Sequence, residues 1–323
     1  MLLTPRPVTQ SALWLALVTV YVVWGSTYLA IRVIVETSPP LLSMGVRFVL
    51  AGLILGLVLA LRHGPSVLKV DRRALGSAAL VGTLLLLCGN GGVAVAEQTV
   101  PSGLAALLVS AVPLWLVCMR RIAGDVPRRM TVVGTALGFA GIAVLARPGG
   151  HDTGGEPVEL WGVLLVLFAT VCWAFGSFFT ARLPMPGNAF VATTYEMLVA
   201  GALMLVVGSA RGELDGFALG DVPGEAWAWL AYLVVFGSLV AFSSYVWLLH
   251  HAPISLVATY AYVNPVVAVA LGAIVLSEPV TLAIVGGGAI AVTGVMLVVS
   301  TERRRATPAT APADAQVPRE VIG

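Results

Sequence analysis

The sequence predicts an all-α membrane protein in which ten transmembrane helices form two inverted five-helix repeats. Three observations carry that prediction. The 323-residue chain is 59% hydrophobic and only 11% charged, with a mean hydropathy of +0.96. Soluble domains carry roughly 25% charged residues, so this chain has too little polar surface to cover a fold in water. Its apolar residues gather into ten runs of spanning length, and landmarks in the first five runs recur in the last five.

The runs come first. A helix needs about 20 apolar residues to cross a bilayer. The candidate spans are residues 13–35, 39–61, 74–95, 101–120, 130–146, 160–181, 189–209, 226–249, 254–276 and 280–300. Short punctuated breaks separate them: Pro39-Pro40, "RHGPSVLKVDRR", Pro101, "RRIAGDVPRR", "RPGGHDTGGEP", "PMPGN", "RGELDGFALGDVPGE", Pro253 and Glu278-Pro279. The first run is too long for a secretion signal, contains Tyr21, Trp24 and Tyr28, and has no small-x-small cleavage site, so it reads as a retained span. The Ala-, Pro- and Thr-rich segment 301–323 after the last span reads as a disordered cytoplasmic tail.

Orientation follows from lysine and arginine near the span ends. With the N-terminus in the cytoplasm, 14 of the 18 basic residues fall inside and three, Arg32, Arg147 and Arg211, fall outside. Arg47 lies within a span. Asp152, Glu156, Glu159, Glu213, Asp215, Asp221 and Glu225 collect outside. Both termini are therefore expected in the cytoplasm of a cell whose inner (plasma) membrane the chain spans. The net charge of +2 offers nothing to a nucleic acid. Cys88, Cys118 and Cys172 lie inside apolar runs without a CxxC pair, which argues against a disulfide framework or a metal site.

The repeat is read from ordered landmarks. Gly25-Ser26 matches Gly176-Ser177, and "RFVLAG" from Arg47 matches "EMLVAG" from Glu196. Pro101 and Pro113 match Pro253 and Pro265, each pair twelve apart. Gly134 and Gly141 match Gly287 and Gly294. The offsets are 149 to 153 residues throughout. Five spans is an odd number, so the second half must enter the membrane from the opposite side. The units are residues 13–146 and 160–300, joined by an external linker at 147–159. Inverted repeats mark secondary transporters, with the binding site near the midplane between the halves.

The runs "WGSTYLAIR", "AEQTVPSGLAALLVSAVPLW" and "ATYAYVNPVVAVALGAIVLSEPVT" resemble the drug/metabolite transporter superfamily, and most closely its EamA-domain proteins, over about residues 13–300. That resemblance implies a ten-span inner-membrane exporter of small metabolites, amino acids or drugs, with a cavity between the halves. The usual Gly-Glu pair after span 4 is Gly124-Asp125 here, and Ser277-Glu278 stands after span 9. Asp125 and Glu278 therefore read as helix-end caps.

A charge within the bilayer costs about 2.5–3.5 kcal/mol and usually faces a partner or a cavity. Arg47 and Glu196 hold equivalent repeat positions, each roughly 12 Å inside its own interface. They read as cavity residues, Arg47 for a substrate carboxylate and Glu196 for an amine or a coupling proton. The alternative is a structural ion pair or capping by neighbouring backbone. Trp24, Ser26, Tyr28, Asn90, Trp115, Trp173, Ser177, Ser244, Tyr245, Tyr260 and Asn264 cluster near the same depth and are candidate lining for a small amphipathic or cationic substrate, with helix packing as the alternative for each. Pro113 and Pro265 are candidate gating bends, because each removes a backbone hydrogen bond. Glu97-Gln98, at the outer end of span 3, is expected to face water, with guarding the outer mouth as the alternative. His250 and His251 are expected at a solvated or headgroup-facing edge. The glycines of spans 5 and 10 permit close approach of helices, within one subunit or at a dimer contact, so monomer and homodimer both stay open.

No HExxH, GxSxG or Walker loop is present, and the triple glycine at Gly286 lies in a span rather than after a strand. A non-enzymatic protein without a cofactor is expected. Without a nucleotide site, active transport would need an ion gradient. An importer or exchanger of the same class, or a membrane ligand sensor, is the alternative.

Overall fold

A computed structural model of the chain describes residues 10–146, 158–180, 182–252, 257 and 259–306. Residues 301–306 of the expected tail continue the last helix instead of being disordered; residues 307–323, most of the linker, Pro253 and the side chains of His250 and His251 lie outside the described residues. No strand occurs among those described.

The first half runs through α1 (Gln10–Val35), α2 (Pro40–His63), α3 (Arg72–Gly82), a π-helical stretch Thr83–Gly91, α4 (Gly92–Ala96), α5 (Ser102–Val109), α6 (Val112–Ile122) and α7 (Arg129–Leu145). The second runs through α8 (Leu160–Thr180), α9 (Ala189–Ala210), α10 (Gly224–Tyr232), a π-helical stretch Leu233–Val240, α11 (Ala241–His251), α12 (Tyr260–Val275) and α13 (Leu282–Ala306). Taken as continuous rods, eight stretches are long and apolar enough to span a membrane, and α7 and α12 are shorter apolar helices. These are the ten spans. Leu15, Leu57, Val206 and Ile274 are among many large apolar side chains left exposed around the bundle, as a lipid-facing surface requires.

Local chemistry explains where the rods start and break. Asp71 caps α3 by accepting from the backbone N–H of Arg73 and Ala74, at 2.8 and 2.9 Å. Span 4, expected to be continuous, breaks at Ser110-Ala111 just before Pro113, whereas Pro265 sits inside an unbroken α12. The π-helical stretches were not foreseen. They begin 150 residues apart, at Thr83 and Leu233, so they too are equivalent in the repeat. Their sequence signal is the run Gly89-Asn90-Gly91-Gly92 and the pair Gly237-Ser238 in mid-span.

Glycines set the packing. A Cβ on Gly201 would lie 2.9 Å from the Gly45 carbonyl oxygen, so α2 and α9 meet backbone to backbone. A Cβ on Gly141 would lie 2.8 Å from the Gly287 carbonyl oxygen and 2.7 Å from Ala291 Cα, which joins α7 to α13 in the same way. The glycine faces of spans 5 and 10 thus pack on each other within the subunit. Spans 2 and 7, and spans 5 and 10, are the pairs that a two-fold axis relating the halves maps onto themselves.

Two carboxylates close helix ends at the pole that carries Glu97, Glu213 and Glu278, called here the acidic end. Glu278 accepts from the N–H of Ser102 and Gly103 at 2.7 and 3.0 Å, capping α5. It reaches them because Ser277 turns the chain with φ 55°, and the Glu278 N–H returns to the Gly272 carbonyl at 3.0 Å. Glu213 accepts from Leu41 and Leu42 at the start of α2, at 3.4 and 3.0 Å. At the opposite, basic end Asp125 pairs with Arg120. The end-cap reading thus agrees with the contacts of Glu278, and Glu213 is a cap that the sequence reading missed. Glu278→Ala is expected to destabilise the bundle by about 1 kcal/mol, the usual worth of a helix cap, seen as a lower melting temperature in detergent; an unchanged melting temperature would remove the capping role.

Candidate functional site

A cavity of about 150 Å³ lies at the centre of the bundle, lined by both halves. Of the sequence candidates, Trp24, Tyr28, Arg47, Asn90, Trp173, Tyr260, Asn264, Pro113 and Pro265 line it. Thr27, Ser110, Thr170 and Ser238 line it too and were not singled out. Each is a small hydroxyl residue in an apolar span, and only the packing tells which of those face inward.

Arg47 is the charged group of the cavity and is 4% exposed. Its Nε donates to Ser238 Oγ at 3.0 Å, and Nη1 to Asn90 Oδ1 at 3.5 Å. Its guanidinium carbon stands 4.7 Å from the centre of the Phe48 ring. Ser238 and Asn90 belong to the two π-helical stretches, so the wide turns of spans 3 and 8 supply its polar contacts. Gly237 leaves the room: a Cβ there would lie 3.3 Å from Nη2. Among the described residues the ion pairs are Arg32–Glu36 and Arg120–Asp125, so Arg47 is not paired with Glu196.

Glu196 is placed elsewhere. It is buried but is not among the cavity-lining residues. Its backbone packs on α3, where a Cβ on Gly82 would lie 2.6 Å from the Glu196 carbonyl oxygen. Successive helical residues point about 100° apart, and it is the neighbouring Met197 that lines the cavity. Ser26, Trp115, Ser177, Ser244 and Tyr245 are likewise outside the lining. Four of them have packing roles. Ser26 Oγ lies 2.6 Å from the Tyr232 hydroxyl, Trp115 Nε1 donates to Thr170 Oγ1 at 3.0 Å, and Ser177 Oγ donates to the Trp173 carbonyl at 2.9 Å. The Tyr245 ring stands 5.1 Å from that of Trp24 and 5.9 Å from that of Tyr260.

The prolines matter through their neighbours. Proline offers no N–H, so the carbonyl four residues back loses its usual helical donor. Those residues are Val109 and Ala261, and both line the cavity. Asn264, in the amide orientation that suits its surroundings, donates to the carbonyls of Tyr21 and Tyr260 at 3.2 Å each, tying α12 to α1. Gly89 lets the Trp173 ring lie against span 3; a Cβ there would be 2.9 Å from Cε3. The result is an aromatic, largely apolar chamber with one cation on one wall. No cluster of three or more metal-ligating side chains occurs among the described residues.

The chain matches the EamA-like transporter family twice, over residues 10–147 and 160–300. It belongs to that family. The two matched segments are the two halves of the bundle. Escherichia coli K12 YedA, described as an uncharacterized inner membrane transporter, is 42% identical over 265 residues, covering 80% of each chain. Bacillus subtilis YvbV, described as an uncharacterized transporter, is 28% identical over 306 residues, covering 90% of this chain and 92% of that one. A protein of Streptantibioticus cattleyicolor described as a probable terminal-alkyne amino-acid exporter is 28% identical, covering 90% of this chain and 93% of that one. One crystal structure, 22% identical, superposes with a TM-score of 0.61 over 93% of this chain and 100% of that chain, which supports the fold. This EamA-family protein is a multi-pass inner-membrane transporter.

Proposed function

We propose that this EamA-family protein is a secondary active exporter of small amino-acid-like or amphipathic drug-like solutes, working by alternating access. The observation that carries the reading is the Arg47 guanidinium, held in a central cavity by neutral groups alone. A solute carboxylate can complete its pairing. A solute ammonium would find the carbonyls of Val109 and Ala261 and the faces of Trp24, Trp173 and Tyr260. Binding between the halves suits a two-fold exchange of outer and inner openings. The acidic end is taken as the outer one and both termini as cytoplasmic, from the basic residues of the other pole. The amino-acid exporter named among the relatives adds weight to the solute class.

Spans 4 and 9 are the gates in this reading, at the points where Pro113 and Pro265 free a carbonyl. The test is solute flux in proteoliposomes against a panel of amino acids, amines and drugs, with and without a pH gradient. Flux of zwitterionic solutes is expected, and Pro113→Ala and Pro265→Ala should slow it several-fold at unchanged membrane abundance. Solute binding without flux would make the protein a sensor instead. A fall in abundance alone would remove the gating role of the prolines.

A further inference from the structure

Glu97 is the first residue beyond α4, at the acidic end. It was expected to face water. Instead it is 0% exposed, and neither carboxyl oxygen has a hydrogen-bond partner. An ionised carboxylate stripped of water and of donors is costly, and such groups ordinarily neutralise instead.

Its position is as telling as its burial. Val93, one turn earlier, lines the central cavity, whereas Gln98, the next residue, lines a second pocket at the acidic end. The same step occurs on α1, where Tyr28 lines the central cavity and Arg32, one turn on, lines the outer pocket. Glu97 therefore sits in the plug of protein that separates the two spaces. The groups facing it are Tyr28 and Arg32 from α1 and Glu278 from the turn after α12; Glu36, just past α1, and Glu159, before α8, line the adjoining pocket. Arg32 does not neutralise its carboxyl. Arg32 donates to the Glu97 main-chain carbonyl and pairs with Glu36 at 2.9 Å. Glu278 adds a second negative group, already committed to capping α5. Burial first, and then Glu278, hold the Glu97 carboxyl well above the usual carboxylate range, against a smaller opposing pull from Arg32.

We propose that Glu97 is a proton-binding site that latches the acidic-end gate: neutral while the plug is closed, and ionised when the gate opens and water reaches it. One proton leaves the carboxyl for water on opening and returns on closing. The sign follows from linkage. The closed state binds the proton more tightly than the open one, in which Glu97 is a hydrated carboxylate titrating near pH 4.3. Closure is therefore fully favoured below about pH 4.3, and the open-to-closed ratio rises about tenfold per pH unit above it, until Glu97 ionises in the closed state as well. This inference rests on the alternating-access reading, and because the proton leaves to and returns from the acidic-end side, it sets the pH dependence of the gate without being carried across.

The experiment measures the gate rather than the flux. In a chain with Cys88, Cys118 and Cys172 replaced by alanine, Val93→Cys places one thiol on the cavity side of Glu97. A membrane-impermeant thiol reagent is added from the acidic-end side between about pH 5.5 and about pH 7.5, and each rate is divided by that of a free model thiol at the same pH. The corrected rate is expected to rise up to about a hundredfold across those two units. Adding Glu97→Gln, which keeps the neutral form, should hold it at the slow acid value throughout. A corrected rate that stays flat in Val93→Cys alone overturns the proposal, even if the glutamine variant cannot be recovered. So does the same steep profile with glutamine at position 97. If solutes are not moved but the pH-dependent labelling survives, the proton latch stands and the exporter reading falls. Flux with pH-independent labelling removes the latch alone.

Discussion

Arg47→Ala is expected to lower transport by roughly tenfold to a hundredfold or more while the protein stays in the membrane at wild-type abundance. A hydrogen-bonded contact to a charged group is worth about 1.5–3 kcal/mol, and each 1.4 kcal/mol is a factor of ten in affinity. The loss should appear as weakened apparent affinity for solutes with a carboxylate, and much less for solutes without one. Arg47 has only neutral partners, Ser238, Asn90 and the Met44 sulfur, so its removal orphans no buried charge, and the fold should tolerate the change. Arg47→Lys keeps the charge but not the planar fork, so it should fall between the two. Glu196→Gln is the control, since Glu196 packs against α3 outside the lining. Equal flux in Arg47→Ala and wild type would end the substrate role of Arg47.

Gly141→Leu is expected to have the largest effect on folding. A Cβ alone would collide with the Ala291 N–H, with Ala291 Cα at 2.7 Å and with the Gly287 carbonyl at 2.8 Å. These are backbone atoms on α13, so no side-chain rotation relieves the clash. Overpacking a close-fitting interior costs about 1–3 kcal/mol when side chains can yield, and here the helices must separate, so about 3 kcal/mol or more is expected. The readouts are membrane abundance and melting temperature in detergent. Gly286→Leu, on the opposing helix, makes the comparison, because nothing lies within 4 Å of its Cβ position. Similar stability in the two variants would show that the α7–α13 contact does not hold the halves together.

Much of this protein is legible in its residues, and particular positions show where legibility stops. Arg47 was legible because charge is rare in an apolar span, and rarity there is chemically expensive. Glu196 gave the same signal, yet it lies outside the cavity lining, with its backbone against α3. A repeat aligns positions along the chain but does not fix which residues of each helix are turned toward the cavity. Ser238 and Ser26 are both mid-span serines, but one meets Arg47 and the other Tyr232. Glu97 looked like a water-facing end residue because sequence distance from a span end measures depth and says nothing of what neighbouring helices bring over it.

By itself the sequence determined the membrane class, the ten spans, the duplicated unit, the glycines where helices touch and the prolines that release carbonyls. Those are consequences of composition, period and backbone chemistry, which a linear pattern carries whatever packs against it. Only the tertiary structure decided that the glycines of spans 5 and 10 face each other, that the two π-helical stretches converge on Arg47, and that Glu97 is sealed between two cavities. Each of these depends on helices from distant parts of the chain. Burial and partnership are set by what arrives through space, and a linear pattern records only the side that a residue offers.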